Sequence, residues 1–177
     1  MRRRSGAPWC NRGMRLLLSP FRWLVTLVLA FVLFGLAQLV PYRVSNPPVV
    51  AEPAWDSPET RALTVAACFD CHSNESHPYT WEKIAPLSWW ITNHTREGRA
   101  AVNFSEWGTS SQGRADAEEI VRVVRDGSMP PGSYTWLGLH AAGKLTPAQR
   151  VQLADGLTAT LAADPGTPSG GRVGEGE

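Results

Sequence analysis

Cys68, Phe69, Asp70, Cys71 and His72 place two thiols and an imidazole within five consecutive residues. Cysteines three apart fall about one helical turn from each other, so both sulfurs can face one porphyrin edge and add across its two vinyl groups. The histidine that follows then reaches the iron, and the pattern is that of a c-type haem attachment site, with one covalent haem c per chain. Two other chemistries use a Cys-x-x-Cys pair. A zinc site needs a second ligand pair at finger-like spacing, but no cysteine follows Cys71, and His77, His94 and His140 are scattered. A thioredoxin-like dithiol needs a strand, a turn and a helix among parallel strands, whereas the flanking sequence carries helical patterns.

A haem iron bound by His72 has one further axial position, whose occupant decides whether it carries electrons or binds small molecules. Met129 lies in Asp126-Gly127-Ser128-Met129-Pro130-Pro131-Gly132-Ser133-Tyr134. Prolines fix that backbone and Gly132 frees it, so the thioether can be held opposite His72. Met1 and Met14 belong to the N-terminal end. His94, on an apolar helical face with Trp90, and His140, in Leu139-His140-Ala141, are the rival ligands, and an open or water-bound iron is the third alternative. His77 follows His72 too closely and is expected in solvent. Trp81, Trp89, Trp90, Trp107, Tyr134 and Trp136 gather in the same segments, where they suit either a porphyrin face or a tryptophan-rich core. Arg96 and Arg99 are candidate propionate partners, or simply a solvated helical face.

The elements that must position these groups read as helices. Ser57 as N-cap, Pro58 at the first position and Glu59 behind it start a helix that runs up to Cys68. Pro86 opens a second, to Arg99, with Leu87, Trp90, Ile91 and His94 on the face expected to line the haem pocket or core, and Gly98 weakening its end. Asn103, Phe104, Ser105, Glu106 and Trp107 form an aromatic connector. Asp116 caps a third helix through Ile120, Val121, Val123 and Val124 to Gly127, its acidic first turn and basic end matching the helix dipole. Thr146 and Gln149 make a capping box around Pro147 for the last, with Val151, Ala154, Leu157 and Leu161 as its apolar stripe. The fold class is therefore all-α, a small domain of about four short helices with long loops over residues 57–163. Residues 164–177, rich in Pro, Gly, Ser and Thr, read as a disordered tail.

Residues 23–40 contain no charge and would extend about 27 Å as a helix, close to a bilayer core. Residues 1–22 carry Arg2, Arg3, Arg4, Arg12, Arg15 and Arg22, and no acid occurs before Glu52. Positive charge before the first apolar span keeps that end cytoplasmic, so everything after it is placed on the periplasmic or extracellular side of the cytoplasmic membrane. A cleaved signal peptide is the competing reading, since Gly35-Leu36-Ala37 imitates a cleavage site, but the apolar stretch is long for one. Cys10 is expected as a free thiol on the cytoplasmic side. Residues 41–56, with four prolines, read as an extended spacer. The formal net charge of +1 divides into a basic N-terminus suited to anionic lipid and an acidic remainder unsuited to nucleic acid.

Taken in order, Cys68-Phe69-Asp70-Cys71-His72-Ser73, Ile84-Ala85-Pro86-Leu87-Ser88-Trp89-Trp90, His94, Glu97-Gly98-Arg99, Asn103-Phe104-Ser105-Glu106-Trp107 and Met129-Pro130-Pro131 with Tyr134 and His140 resemble the haem-binding domain family of small membrane-anchored c-type cytochromes. That resemblance covers nearly the whole exported part and implies a cytochrome c-like fold with His72 and Met129 as axial ligands. The chain departs from it at His77-Pro78-Tyr79-Thr80-Trp81, where the family tends to a Pro-Trp-Tyr run. The function expected is a membrane-anchored monohaem electron carrier serving redox protein partners. Its alternatives are a haem-bearing accessory subunit or sensor of a larger redox complex, and a small haem peroxidase with an open distal site.

Overall fold

Pro20 opens α1 (Pro20–Ala37), at a position where a missing N–H costs nothing. The computed structural model describes residues 20–136 and 139–167; the arginine-rich start with Cys10, and residues 168–177 of the expected tail, lie outside them. α1 begins three residues before the expected span, and the chain leaves it through hydrogen-bonded turns from Gln38, Leu39 and Val40 back to Gly35, Leu36 and Ala37. None of its residues is buried, and its mean hydropathy is 2.0. Such a helix is long and apolar enough to cross a membrane, and a signal sequence has the same character.

Residues from Tyr42 onward form a separate unit. Its first stretch is extended, as Pro47, Pro48 and Pro53 require, but it is no free spacer. Val50 and Ala51 donate backbone N–H groups to Ser105 O (2.9 and 3.2 Å), and Trp107 donates to Ala51 O (3.1 Å). Glu52 pairs with Arg61 at 2.7 Å, and the Trp55 ring meets Phe69 and Phe104. The arm belongs to the domain, which therefore starts near Tyr42 rather than Ser57.

α2 (Pro58–Ala67) is capped as its sequence predicts, with Thr60 N–H on Ser57 Oγ at 3.2 Å. Cys68 breaks it, and α3 (Phe69–His72) is a single separate turn. After a short 3-10 turn at Thr80–Lys83 comes α4 (Leu87–Ala101), then α5 (Ala117–Arg125) and α6 (Pro147–Ala163). Asp116 caps α5 through Glu119 N–H, and the Thr146–Gln149 capping box opens α6. The domain is all-helical: no strand occurs among the described residues, only an isolated bridge between Ala51 and Glu106.

The core joins Phe69, Phe104 and Trp107, stacked in sequence at 6.0 and 5.9 Å, to Ile120 and Val124 of α5 and Leu153, Leu157 and Leu161 of α6. Two expectations change here. On α6 Ala154, Leu157 and Leu161 of the expected stripe are buried, but Val151 is 60% exposed and Leu153 turns inward instead. On α4 the buried side chains are Ser88, Thr92 and Thr95, while Trp90 and His94 face solvent. Small side chains allow close helix contact, and Thr92 satisfies its hydroxyl on Ser88 O at 2.6 Å. The tail's start is also ordered onto the fold: Asp164 accepts from Ala54 N–H and from the Trp107 indole, and Thr167 N–H donates to Gln112.

Candidate functional site

The turn of α3, with Cys68 as its N-cap, brings Cys68, Cys71 and His72 together, and α4 lies directly against it. Gly98 makes that approach possible: a Cβ there would collide with the Cys71 carbonyl. Both cysteines are free thiols. Burial pushes Cys68 up to about 12 and Cys71, with Asp70 and Glu82 nearby, up to about 11. Protonated thiols do not suit a reactive dithiol, whose attacking sulfur is the thiolate. Among the described residues no group of three or more His, Cys, Asp or Glu side chains is placed to hold a metal ion.

His72 is oriented by the end of α4. Its Nδ1 lies 3.2 Å from Val102 O, and a carbonyl can only accept, so Nδ1 carries the proton and Nε2 keeps its lone pair. Burial lowers the His72 pKa and favours this neutral form, outweighing the two backbone carbonyls. Behind it, the aromatic connector acts as a clamp. Phe104 N–H bonds His72 O at 2.8 Å, Ser105 Oγ accepts Asn74 N–H at 2.9 Å, and Asn74 is held further by Glu106 and Asn103. Arg99 is not left for a propionate: it donates to Ser73 O and Ser45 O at 2.7 Å each and to Asn46 and Ser76. Arg96 packs over the Tyr42 ring and donates to its hydroxyl. These roles join residues about 30 positions apart, which no local periodicity reveals.

Beside Cys71 is a small cavity of about 50 Å³, bordered by Asp70, Ile91, Thr95, Tyr134 and His140. His140 is thus brought to the haem motif, through Asp70, whereas His94 is exposed with its ring 4.1 Å from that of Trp90, and His77 is exposed. Met129 sits after α5, its N–H on Val123 O at 2.9 Å and its carbonyl held by Arg150 at 2.8 Å. Its side chain is 36% exposed, and no described contact joins it to His72. A larger, shallow hollow of about 650 Å³ between α5 and α6 contains none of this chemistry.

Residues 32–159 match the haem-binding domain family. The chain belongs to that family. No curated protein and no solved structure matches it. The donor set of this haem-binding domain fits the cofactor its family implies: two neutral thiols one turn apart, followed by an imidazole whose Nε2 is left unprotonated. Exposed Tyr79, Trp81, Ile84 and Trp90 add apolar surface on the segments flanking the site.

Proposed function

We propose that this haem-binding domain is a membrane-tethered monohaem electron carrier, working on the outer face of the cytoplasmic membrane. The observation that carries the reading is the single turn of α3, where Cys68 and Cys71 would hold the porphyrin through thioethers and His72 would ligate the iron through Nε2. The bound group supplies a one-electron ferrous–ferric couple. Val102 fixes the imidazole tautomer, and Phe104 and Ser105 fix the backbone that follows it at the His72 carbonyl and the Asn74 N–H, so the ligand needs little rearrangement between redox states. Met129 is the second axial ligand in this reading; its segment is anchored from behind by Val123 and Arg150, which leaves the thioether as the free end. Thioether ligation favours the reduced state and raises the potential. The arginines ahead of α1 retain the N-terminus in the cytoplasm, and α1 anchors the chain.

Haem staining after denaturing electrophoresis tests the attachment: stain is expected in the wild type and absent in a Cys68→Ala, Cys71→Ala double variant. The wild type should also show a near-infrared sulfur-to-iron band that Met129→Ala abolishes. A five-coordinate wild-type spectrum overturns the closed-iron assignment.

A second reading, a haem-bearing subunit of a larger redox complex, draws on Trp136, 67% exposed, and on Trp81 and Trp90, since large exposed aromatics are typical of docking surfaces. Stoichiometric co-purification of a partner from membranes would favour it.

A further inference from the structure

Asp70, the second of the two residues between the haem-motif cysteines, gathers three partners from outside α3. Its Oδ1 accepts the His77 N–H at 2.8 Å, and its Oδ2 accepts the Tyr134 hydroxyl at 2.7 Å and faces His140 Nδ1 at 3.0 Å. The His140 side chain is 13% exposed, stacked on Tyr134 at 4.2 Å and tilted against Tyr79 at 4.9 Å, with Nε2 3.7 Å from Glu82. His140 also holds a left-handed backbone, φ 45°, which a residue with a Cβ adopts only where its surroundings enforce it. Just beyond, Gly143 lies so near Tyr134 and the Ala66 carbonyl of α2 that a Cβ would approach them within 2.6 and 2.7 Å. Burial and the Asp70 hydrogen bond both keep the Tyr134 hydroxyl protonated, as a donor must be.

The segment before these contacts is fixed at its other end too. The Met129 backbone is tied by its N–H to Val123 O and by its carbonyl to the Arg150 guanidinium, so only Pro130, Pro131, Gly132 and Ser133 separate one anchor from the other. Two prolines in four residues leave this strap little slack.

We propose that Asp70 is a positioning residue: through Tyr134 and His140 it clamps the strap carrying Met129 to the haem motif, and so closes the iron's second face to small ligands such as carbon monoxide. The proposal rests on the Met129 reading given above. It assigns the intervening aspartate a task separate from haem attachment, and it gives His140 the task of holding the strap rather than ligating iron.

The test uses the full-length, haem-loaded protein with Tyr134→Phe, His140→Asn and the double variant. Tyr134→Phe removes one hydroxyl and leaves the stacked ring, so it keeps the packing. Haem stain should be unchanged in all three. Carbon monoxide should bind the ferrous variants about tenfold faster, the effect of losing one hydrogen bond to a charged group. Amide exchange should rise over residues 129–140 while that of α6 stays as in the wild type, and the near-infrared band should weaken. Wild-type carbon monoxide rates and exchange in the double variant overturn the clamp, whatever ligates the iron. A wild type without the near-infrared band overturns Met129 ligation instead, and the clamp then stands or falls on the exchange of residues 129–140.

Discussion

At neutral pH the buried Cys68 and Cys71 are thiols, because taking a thiolate out of water costs more than anything near them returns. With pKa values about 12 and about 11 against an ordinary 9.0, the thiolate fraction of Cys71 falls about 100-fold and that of Cys68 further. In chain produced without haem attachment, alkylation by iodoacetamide at pH 8 is expected about 100-fold slower than that of free cysteine. Rates matching free cysteine would return the pair to the class of reactive dithiols. That the chain binds haem was legible in the sequence from the five-residue motif, and its membership of the haem-binding domain family agrees. What was not legible is the work of Asn103, Ser105 and Arg99, whose hydrogen bonds reach back across about 26 to 54 residues to Ser45, Ser73 and Asn74. Periodicity reports which side of an element is apolar, but a buried polar network follows from tertiary placement.

Among the elements, α4 shows how two effects at one residue oppose each other. Gly98 interrupts a helix where alanine would be favoured by about 1 kcal/mol, so the sequence suggests a weakened end. The helix instead continues to Ala101, and the missing Cβ admits the Cys71 carbonyl. Backbone cannot swing aside as a side chain can, so Gly98→Ala is expected to destabilise the domain by about 2 kcal/mol in denaturant unfolding despite the better propensity. It should also reduce haem retention, because α3 is displaced. An unchanged or raised midpoint would show that α3 and α4 do not need this approach. The helix caps were legible for the opposite reason: Ser57, Asp116 and Thr146 act on donors three residues away.

The extended arm couples its own charge to α2. Arg61 holds the Glu52 carboxyl below its ordinary value of 4.5, chiefly by direct hydrogen bonding, against the opposing effect of burial. A depressed folded pKa means that the stabilisation is fully present above about 4.5 and is lost as pH falls through the lowered value. Arg61 is 44% exposed, so solvent screening limits the effect to under about 1 kcal/mol. Urea unfolding at pH 7 and pH 3 should therefore show a smaller loss on acidification for Glu52→Gln than for the wild type. Equal losses would mean that the pair contributes nothing to the arm.

For the whole molecule, the point where the folded domain begins bears on what can be separated from the anchor. Proline content made residues 41–56 look like a tether, yet composition reports only that they are extended, not whether another surface meets them. Val50, Ala51 and Trp107 tie this arm to the connector that clamps His72, and Trp55 closes the Phe69–Phe104 stack. A haem-loaded chain starting at Tyr42 is therefore expected to be water-soluble and to unfold in urea at the same midpoint as the domain of the full-length protein in detergent. One starting at Ser57 would lose the Trp55 ring and the backbone bonds together, a deficit of about 3 kcal/mol or more from the aromatic alone. It should also exchange amide protons faster at residues 103–107, because their partners on the arm are gone. Equal midpoints for the two shortened chains would restore residues 41–56 to a free spacer. A deficit confined to the shorter chain would make the arm part of the apparatus that holds His72.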